Sequence, residues 1–453
     1  MKKILLLFVI AASLLAVSCH KDDEQIVIPE LLTEFVSGGE YKNDVLTVCQ
    51  GNEFIFKVLA KNLTNYSVRW VVDGNLVSSS EELKMKLDEV GEHILLVTVI
   101  NKDGGEATKS IKIVVYGKFK QGTFILNEGN MSNENGTLIF ISEDGVATDS
   151  VYIKANNSQL GNVAQDLFIS KDKIYFICQN GAKAIGELPS DGMLIIADAQ
   201  TLKKKVSYQK ESLAALSWPT HVAAIEDNIY IRDNYGISLF KETDKSLTLI
   251  DGTSGASMNR MVVAGERLFA AAGKKLLIIK GDAVEKTIEM DGTISGVVKA
   301  SDGNIYISVT SNPAQILKIK ASDGEIIKKN IFADASIKIG AGWGASPAFG
   351  AKGDTLYFSN ATTKIYRHIF STNTNEYITD VKEFVADASI VYNNLGVHPI
   401  TGEVYFNSIK SYANYKKNDI SVFNFSKATP VLKQDYKDFT NFPAGIFFTY
   451  NFE

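Results

Sequence analysis

The chain is short of the residues that most site chemistry needs. It holds three cysteines and five histidines in 453 residues. Cys49 and Cys178 fall in different parts of the chain, and Cys178 lies inside a strand-like run. A disulfide framework is therefore not expected, and both read as small buried hydrophobes. Of the histidines, His20 and His93 precede the repeating part of the sequence. His93 reads as a strand residue rather than a ligand. His221 and His398 are the one pair that a ring could gather as metal ligands, but no cysteine or acidic cluster accompanies them. No nucleophile elbow, metal-binding helix motif or phosphate-cradling glycine loop occurs. Ser301-Asp302-Gly303 and Ser322-Asp323-Gly324 are turn sequences without the spacing of a calcium loop. The formal net charge is only −5 and no basic block appears, so nucleic acid is not an expected partner. Past Val17 no run is long and apolar enough for a membrane helix. These absences point to a binding protein rather than an enzyme, with neither metal nor cofactor.

What the chain has in quantity is short aromatic strands. Seven times a strand carrying an aromatic is followed by a second strand and a turn. The first strands are Thr123-Phe124-Ile125-Leu126, Lys173-Ile174-Tyr175-Phe176, Asn228-Ile229-Tyr230-Ile231, Arg267-Leu268-Phe269-Ala270, Asn304-Ile305-Tyr306-Ile307, Thr355-Leu356-Tyr357-Phe358 and Glu403-Val404-Tyr405-Phe406. All-strand units at a period of tens of residues predict propeller blades rather than a helical solenoid. Residues 117–453 divided by seven give about 48 per unit, the size of a four-stranded blade. The first unit starts on its aromatic strand and so lacks an inner strand. The last segment, Phe442-Pro443-Ala444-Gly445-Ile446-Phe447-Phe448, echoes Trp218-Pro219-Thr220-His221 and has no partner of its own. The C-terminus is therefore expected to supply the missing strand and close the ring, which removes open sheet edges.

The N-terminus reads as a targeting segment. Lys2 and Lys3 precede an apolar run at 4–17, short for a permanent span. Ala16-Val17-Ser18-Cys19 resembles a bacterial lipoprotein cleavage box, with Ala16 in place of the usual Leu. The resemblance implies a signal peptide at 1–18 and a lipid on Cys19, the membrane contact of the mature chain. His20-Lys21-Asp22-Asp23-Glu24 resembles the surface-export signal of Bacteroidota lipoproteins; the same charges also suit a solvated linker. Residues 19–32 would be the anchor and tether. From 33 to 116, strand-like runs separated by Gly, Asn and Asp turns predict a small β-sandwich. Their order, with Trp70 before Asp73-Gly74 and Gly91-Glu92-His93 opening an alternating strand, resembles the immunoglobulin-like PKD domain. That resemblance makes Trp70 the core tryptophan and the domain a spacer. The predicted fold is thus all-β: an immunoglobulin-like sandwich followed by a seven-bladed β-propeller closed by the C-terminal strand.

Propeller sites form on one face, from the loops leading into each inner strand and those joining second to third strands. The lead-in loops contribute Gln165, Asp166, Trp218, His221, Arg260, Trp343 and Asn394. The second set contributes Asn127, Glu128, Asn130, Gln179, Arg232, Tyr235, Asn312, Asn360 and Tyr412. Amides that both donate and accept, and aromatic faces that bury area at low entropic cost, suit a large, polar, weakly charged ligand. Asn also serves any β-turn. Trp218, Trp343 and Tyr235 are the expected anchors.

Two end motifs are more specific. Gly122-Thr123-Phe124-Ile125-Leu126-Asn127-Glu128-Gly129-Asn130 opens the ring and Phe442 to Phe448 ends it, with Leu160-Gly161-Asn162-Val163-Ala164-Gln165-Asp166 between. Together they resemble the YncE-like surface propellers of Bacteroidota, of surface-layer-protein type. A branch of that family captures cobalamin over a TonB-dependent transporter. The resemblance implies an outer-membrane, cell-surface location and a corrinoid or other nutrient as ligand rather than cofactor, delivered to such a transporter. The corrinoid branch lacks a long immunoglobulin-like insert, and the loop 179–191 is expanded here. The alternative is an adhesion or scaffold protein that binds a protein or glycan.

Overall fold

The computed structural model describes residues 26–61, 65–340, 349–427 and 429–450, with backbone only at 60, 61, 390, 391, 393 and 394. Cys19 and the 1–18 segment therefore lie outside the described residues, as does Trp343. Two compact units meet between Tyr116 and Gly117. Among the described residues no helix is long and apolar enough to cross a membrane.

In the first unit, Glu30–Ser37, Glu53–Lys61 and Glu82–Lys86 form a three-stranded sheet. A six-stranded sheet is built around the hairpin Gly91–Asn101 and Glu106–Tyr116. Alternate residues of 91–101 point inward, the period-two pattern of a sheet buried on one face. Leu95, Val97 and Val99 meet Phe54, Phe56, Ile111 and Ile113 in one core around the fully buried Trp70. Trp70 Nε1 donates to the Ser80 carbonyl at 2.8 Å, which satisfies its only polar atom. His93 is a buried strand residue, with Nδ1 2.7 Å from Asp73 and Nε2 2.9 Å from the Glu89 carbonyl. Both neighbours are acceptors, so both ring nitrogens must donate and the imidazole is charged.

Among the described residues the second unit holds seven four-stranded antiparallel sheets. Six are consecutive meanders, such as Asn162–Ser170, Lys173–Gly181, Leu194–Asp198 and Lys204–Tyr208. The other pairs Gly122–Asn127 with both Thr137–Ser142 and the C-terminal strand Pro443–Phe448. First strands of successive sheets touch in turn. The series closes because 443–448 contacts both Ile390–Val397 and Asn162–Ser170. This is a β-propeller ring.

Seven cores fill the spaces between neighbouring sheets. In strand Lys173–Gly181, Phe176 and Cys178 face one neighbour while Tyr175 and Ile177 face the other. A sheet buried on both faces needs continuous apolar strands, which is why these runs do not alternate with polar residues. Among the described residues neither Cys49 nor Cys178 forms a disulfide. One element was not foreseen: a short helix, Val151–Asn156, buries Val151 and Tyr152 in the core between the first two sheets. Tyr152 Oη and Ser158 Oγ each donate to Asp191 at 2.6 Å, which pins the end of the expanded loop.

Candidate functional site

Antiparallel pairing puts the loops leading into first strands and the loops joining second to third strands at the same end of the ring. Glu128 stands just past Gly122–Asn127, and Gln165 and Asp166 lie on Asn162–Ser170. His221 opens His221–Ile225, Arg260 precedes Val262–Ala264, and Tyr392 is near the start of Ile390–Val397.

Asp166 ties three of these together. Its carboxylate lies 3.1 Å from His221 Nδ1 and 3.3 Å from Arg260 Nε. The Arg260 guanidinium then lies over the Phe447 ring, 4.1 Å from its centre. Arg260 leads into the fourth sheet and Phe447 belongs to the first, so the side chain reaches across the ring. A Cβ at Gly445 would fall 2.3 Å from Arg260 Nη2, so glycine there leaves the guanidinium its space. Burial lowers the pKa of Arg260, and Asp166 draws it partly back. Burial also lowers His221. Nδ1 faces the Asp166 carboxylate, and among the described residues the buried Nε2 has no hydrogen-bond partner.

Glu128 accepts hydrogen bonds from Tyr392 and Gln165. Burial pushes its carboxyl up to about 7 against the pull of those two donors. Tyr392 is raised by the same burial and by the Glu128 charge. Yet Glu128 is only partly buried by surface and Arg260 keeps 23% of its side chain accessible. Both groups are thus desolvated by burial yet keep some contact with solvent. Tyr392 links Glu128 to an aromatic cluster: Phe442 stacks on Tyr415 with ring centres 4.4 Å apart, and Tyr392 meets it edge-on at 6.1 Å. Tyr412 extends this cluster into solvent. Phe442 and Trp218 both precede proline and both have left-handed backbones, φ 44° and 52°. Such conformations in large residues cost about 1–3 kcal/mol each and gather at functional sites.

Several sequence-predicted contacts are spent on scaffolding instead. The Asn127 amide is buried; it donates to Thr137 Oγ1 at 3.1 Å and accepts from Thr440 Oγ1, across the closing seam. Arg232 is buried and donates to the Ala256 carbonyl and to Thr220 Oγ1, each at about 3.0 Å. Asp166 and His221 are held by each other and by Arg260. Asn130 accepts from the Ser132 amide at 2.8 Å, and Asn312 from Lys338 Nζ at 2.7 Å. Gln179 is partly buried near the end of Lys173–Gly181, and Asn360 is partly buried beside Gly340. The side chain of Asn394 lies outside the described residues. His221 and His398 do not meet: His221 opens its first strand whereas His398 follows the last residue of Ile390–Val397, at the opposite end of the ring. Among the described residues no group of three or more His, Cys, Asp or Glu side chains could hold a metal ion.

Tyr392 was missed, although the neighbouring Asn394 was singled out; nothing in an inner-strand tyrosine distinguishes it until Glu128 arrives from another sheet. A separate cavity of about 520 Å³ opens at the opposite end, lined by turn residues including Lys171, Glu226, Asn228 and Lys280. No sequence-predicted contact lines it, and it carries no aromatic rim comparable to the one around Phe442.

A family described as "Domain of unknown function (DUF5074)" matches residues 121–449, nearly the whole ring. A solved quinonprotein alcohol dehydrogenase-like protein from Bacteroides thetaiotaomicron is similar over 90% of this chain and 97% of its own, at 17% identity and a TM-score of 0.52. The β-propeller domain of Cps50 (Swd1) from Myceliophteria thermophila is similar over 64% of this chain and 94% of its own, at 12% identity and a TM-score of 0.43. The dihydro-heme d1 dehydrogenase NirN is similar over 74% of this chain and 76% of its own, at 10% identity and a TM-score of 0.42. No curated protein matches the chain. At these identities the first similarity supports a β-propeller fold and nothing finer.

Proposed function

Because the chain belongs to the DUF5074 family, whose description assigns no activity, we propose a function from the site itself. The chain is a surface-exposed outer-membrane lipoprotein of Bacteroidota type. Residues 1–18 are its signal peptide, Cys19 its lipid anchor, 19–32 its tether, and 33–116 a PKD-type immunoglobulin-like spacer. Residues 117–453 are a seven-bladed, YncE-like propeller, each four-stranded sheet being one blade. The propeller is a binding module rather than an enzyme. Its loop-bearing end captures a large, polar, weakly charged nutrient, a corrinoid in the first instance, for delivery to a TonB-dependent transporter. The observation that supports this reading is the Glu128–Tyr392 contact, which joins a desolvated carboxyl to the Phe442 aromatic cluster at the loop-bearing end. An apolar pocket with a few convergent polar groups and perturbed ionisation is where a ligand is best held.

The test is co-elution of cyanocobalamin with the purified chain, followed by calorimetry. Stoichiometric binding that weakens at least tenfold in Tyr412→Ala and in Glu128→Gln is expected. Absence of binding at micromolar cyanocobalamin removes the corrinoid. A second reading is adhesion through a protein or glycan partner; the exposed apolar side chains Trp218, Tyr235 and Met258 on the same end favour its glycan form.

A further inference from the structure

Three loops around the third sheet present large apolar side chains to solvent. Trp218 is 56% exposed, Tyr235 58% and Met258 48%. None of them takes part in the Glu128 and Arg260 cluster. The loops are nonetheless tied together by hydrogen bonds. Asp233 is buried, and its carboxylate accepts from the Ser217 amide at 2.7 Å, the Tyr235 amide at 2.9 Å and the Gly236 amide at 3.1 Å. The Asn234 amide donates back to the Ser217 carbonyl at 2.8 Å. Arg232, next in the chain, holds Thr220 on one loop and Ala256 on another. One acid and one base are thus consumed in fixing the backbones on either side of Trp218, Tyr235 and Met258.

The loop residues left over are Leu216-Ser217-Trp218-Pro219-Thr220, Asn234-Tyr235-Gly236 and Ser254-Gly255-Ala256-Ser257-Met258-Asn259. None is ionisable. Asn259 is buried, and among the described residues its Oδ1 has no hydrogen-bond partner. An unpartnered buried amide is costly unless something else satisfies it. The surface therefore offers flat aromatic faces, hydroxyls and amides on a preorganised frame, and no charge. Three side chains are too few for a stable protein interface, which needs on the order of 800 Å² from each partner.

We propose that Trp218, Tyr235 and Met258 form a shelf for a neutral saccharide. The apolar C–H faces of a sugar ring lie on the aromatic planes, and its hydroxyls pair with the flanking amides and peptide groups. Because Asp233 fixes the loops before binding, little ordering entropy is lost. The shelf side chains are distinct from Glu128, Tyr392 and the Phe442 cluster, so substitutions test the two sites separately.

The test is affinity electrophoresis of the full chain in native gels cast with amylopectin, dextran, galactomannan or xylan. Retardation by at least one polysaccharide is expected. It should fall at least tenfold in Trp218→Ala and in Tyr235→Ala, and stay unchanged in Tyr412→Ala. Asp233→Ala, which keeps both rings but frees the loops, should weaken it severalfold. All three shelf changes leave the melting curve readable by circular dichroism, which separates lost binding from lost fold. No retardation by any of the four polysaccharides, or retardation that Trp218→Ala and Tyr235→Ala retain, overturns the proposal. So does a concentration-dependent dimer in sedimentation that Trp218→Ala abolishes, because the shelf would then be covered by a second copy.

Discussion

Replacing Ile446 with alanine should loosen the ring at its seam and nowhere else. Ile446 lies on the C-terminal strand that completes the first sheet, opposite Ile125. It is 5% exposed and belongs to the core between the last and first sheets. That core has seven buried members among the described residues, against 18 in the core between the first two sheets. The seam therefore has the least apolar burial to spare. Collapse around the missing atoms is restricted, because backbone stands beside them: a Cβ built at Gly396 would already lie 3.0 Å from Ile446 Cγ2. Poorly relaxing isoleucine-to-alanine sites cost about 2–5 kcal/mol, and a value near 3 is expected here. That is a large share of the ~5–15 kcal/mol typical of a folded domain. Hydrogen exchange resolves the effect by element. Amides of Gly122–Asn127 and Pro443–Phe448 should lose about a hundredfold protection, since ~1.4 kcal/mol is tenfold. Strand Gly91–Asn101 in the first unit should keep its protection. A loss below about 1 kcal/mol in denaturant, or unchanged exchange at Gly122–Asn127, would refute the claim that this strand closes the ring.

Further expectations concern charge. The Glu128 carboxyl is raised from 4.5 to about 7, so the folded state holds a proton that the unfolded chain releases earlier. Ring stability should therefore fall as pH rises from about 4.5 to 7, by up to ~3 kcal/mol, and level off above; Glu128→Gln should flatten that slope in denaturation series across pH. At His93, burial pulls the pKa down but hydrogen bonds to Asp73 and the Glu89 carbonyl outweigh it, leaving it raised. Its contribution is complete below about 6.5 and is lost as pH rises through the folded value, so His93→Gln should weaken the first unit at pH 5 more than at pH 9. Asp166→Ala leaves Arg260 desolvated without its carboxylate and should cost about 3–5 kcal/mol in ring unfolding, whereas Tyr412→Ala should change stability by less than about 0.5.

Much of the fold was legible. The seven aromatic strands named from the sequence are all strands, because period and composition are local properties. The missing inner strand at the start and the surplus one at the end were likewise readable by counting. The site was only partly legible. Asn127, Asp166, His221 and Arg232 lie at the end of the ring where the lead-in loops gather, but their side chains turn into the scaffold. Loop position does not say whether an amide meets solvent or a neighbouring carboxylate; only packing decides that. Trp218, Tyr235 and Tyr412 were foreseen as aromatics of the loop-bearing end, and all three are exposed there.

The sequence by itself determined that the chain is built of short strands, where they begin, and how scarce its titratable residues are. Each follows from hydrophobic spacing and turn chemistry within a few residues. Only the tertiary structure decided that Arg260 spans from the fourth sheet to the closing strand, that Glu128 shares its proton environment with Tyr392 264 residues away, and that Asp233 freezes two loops. Those outcomes depend on ring closure, which brings distant side chains together and strips their water at the same moment.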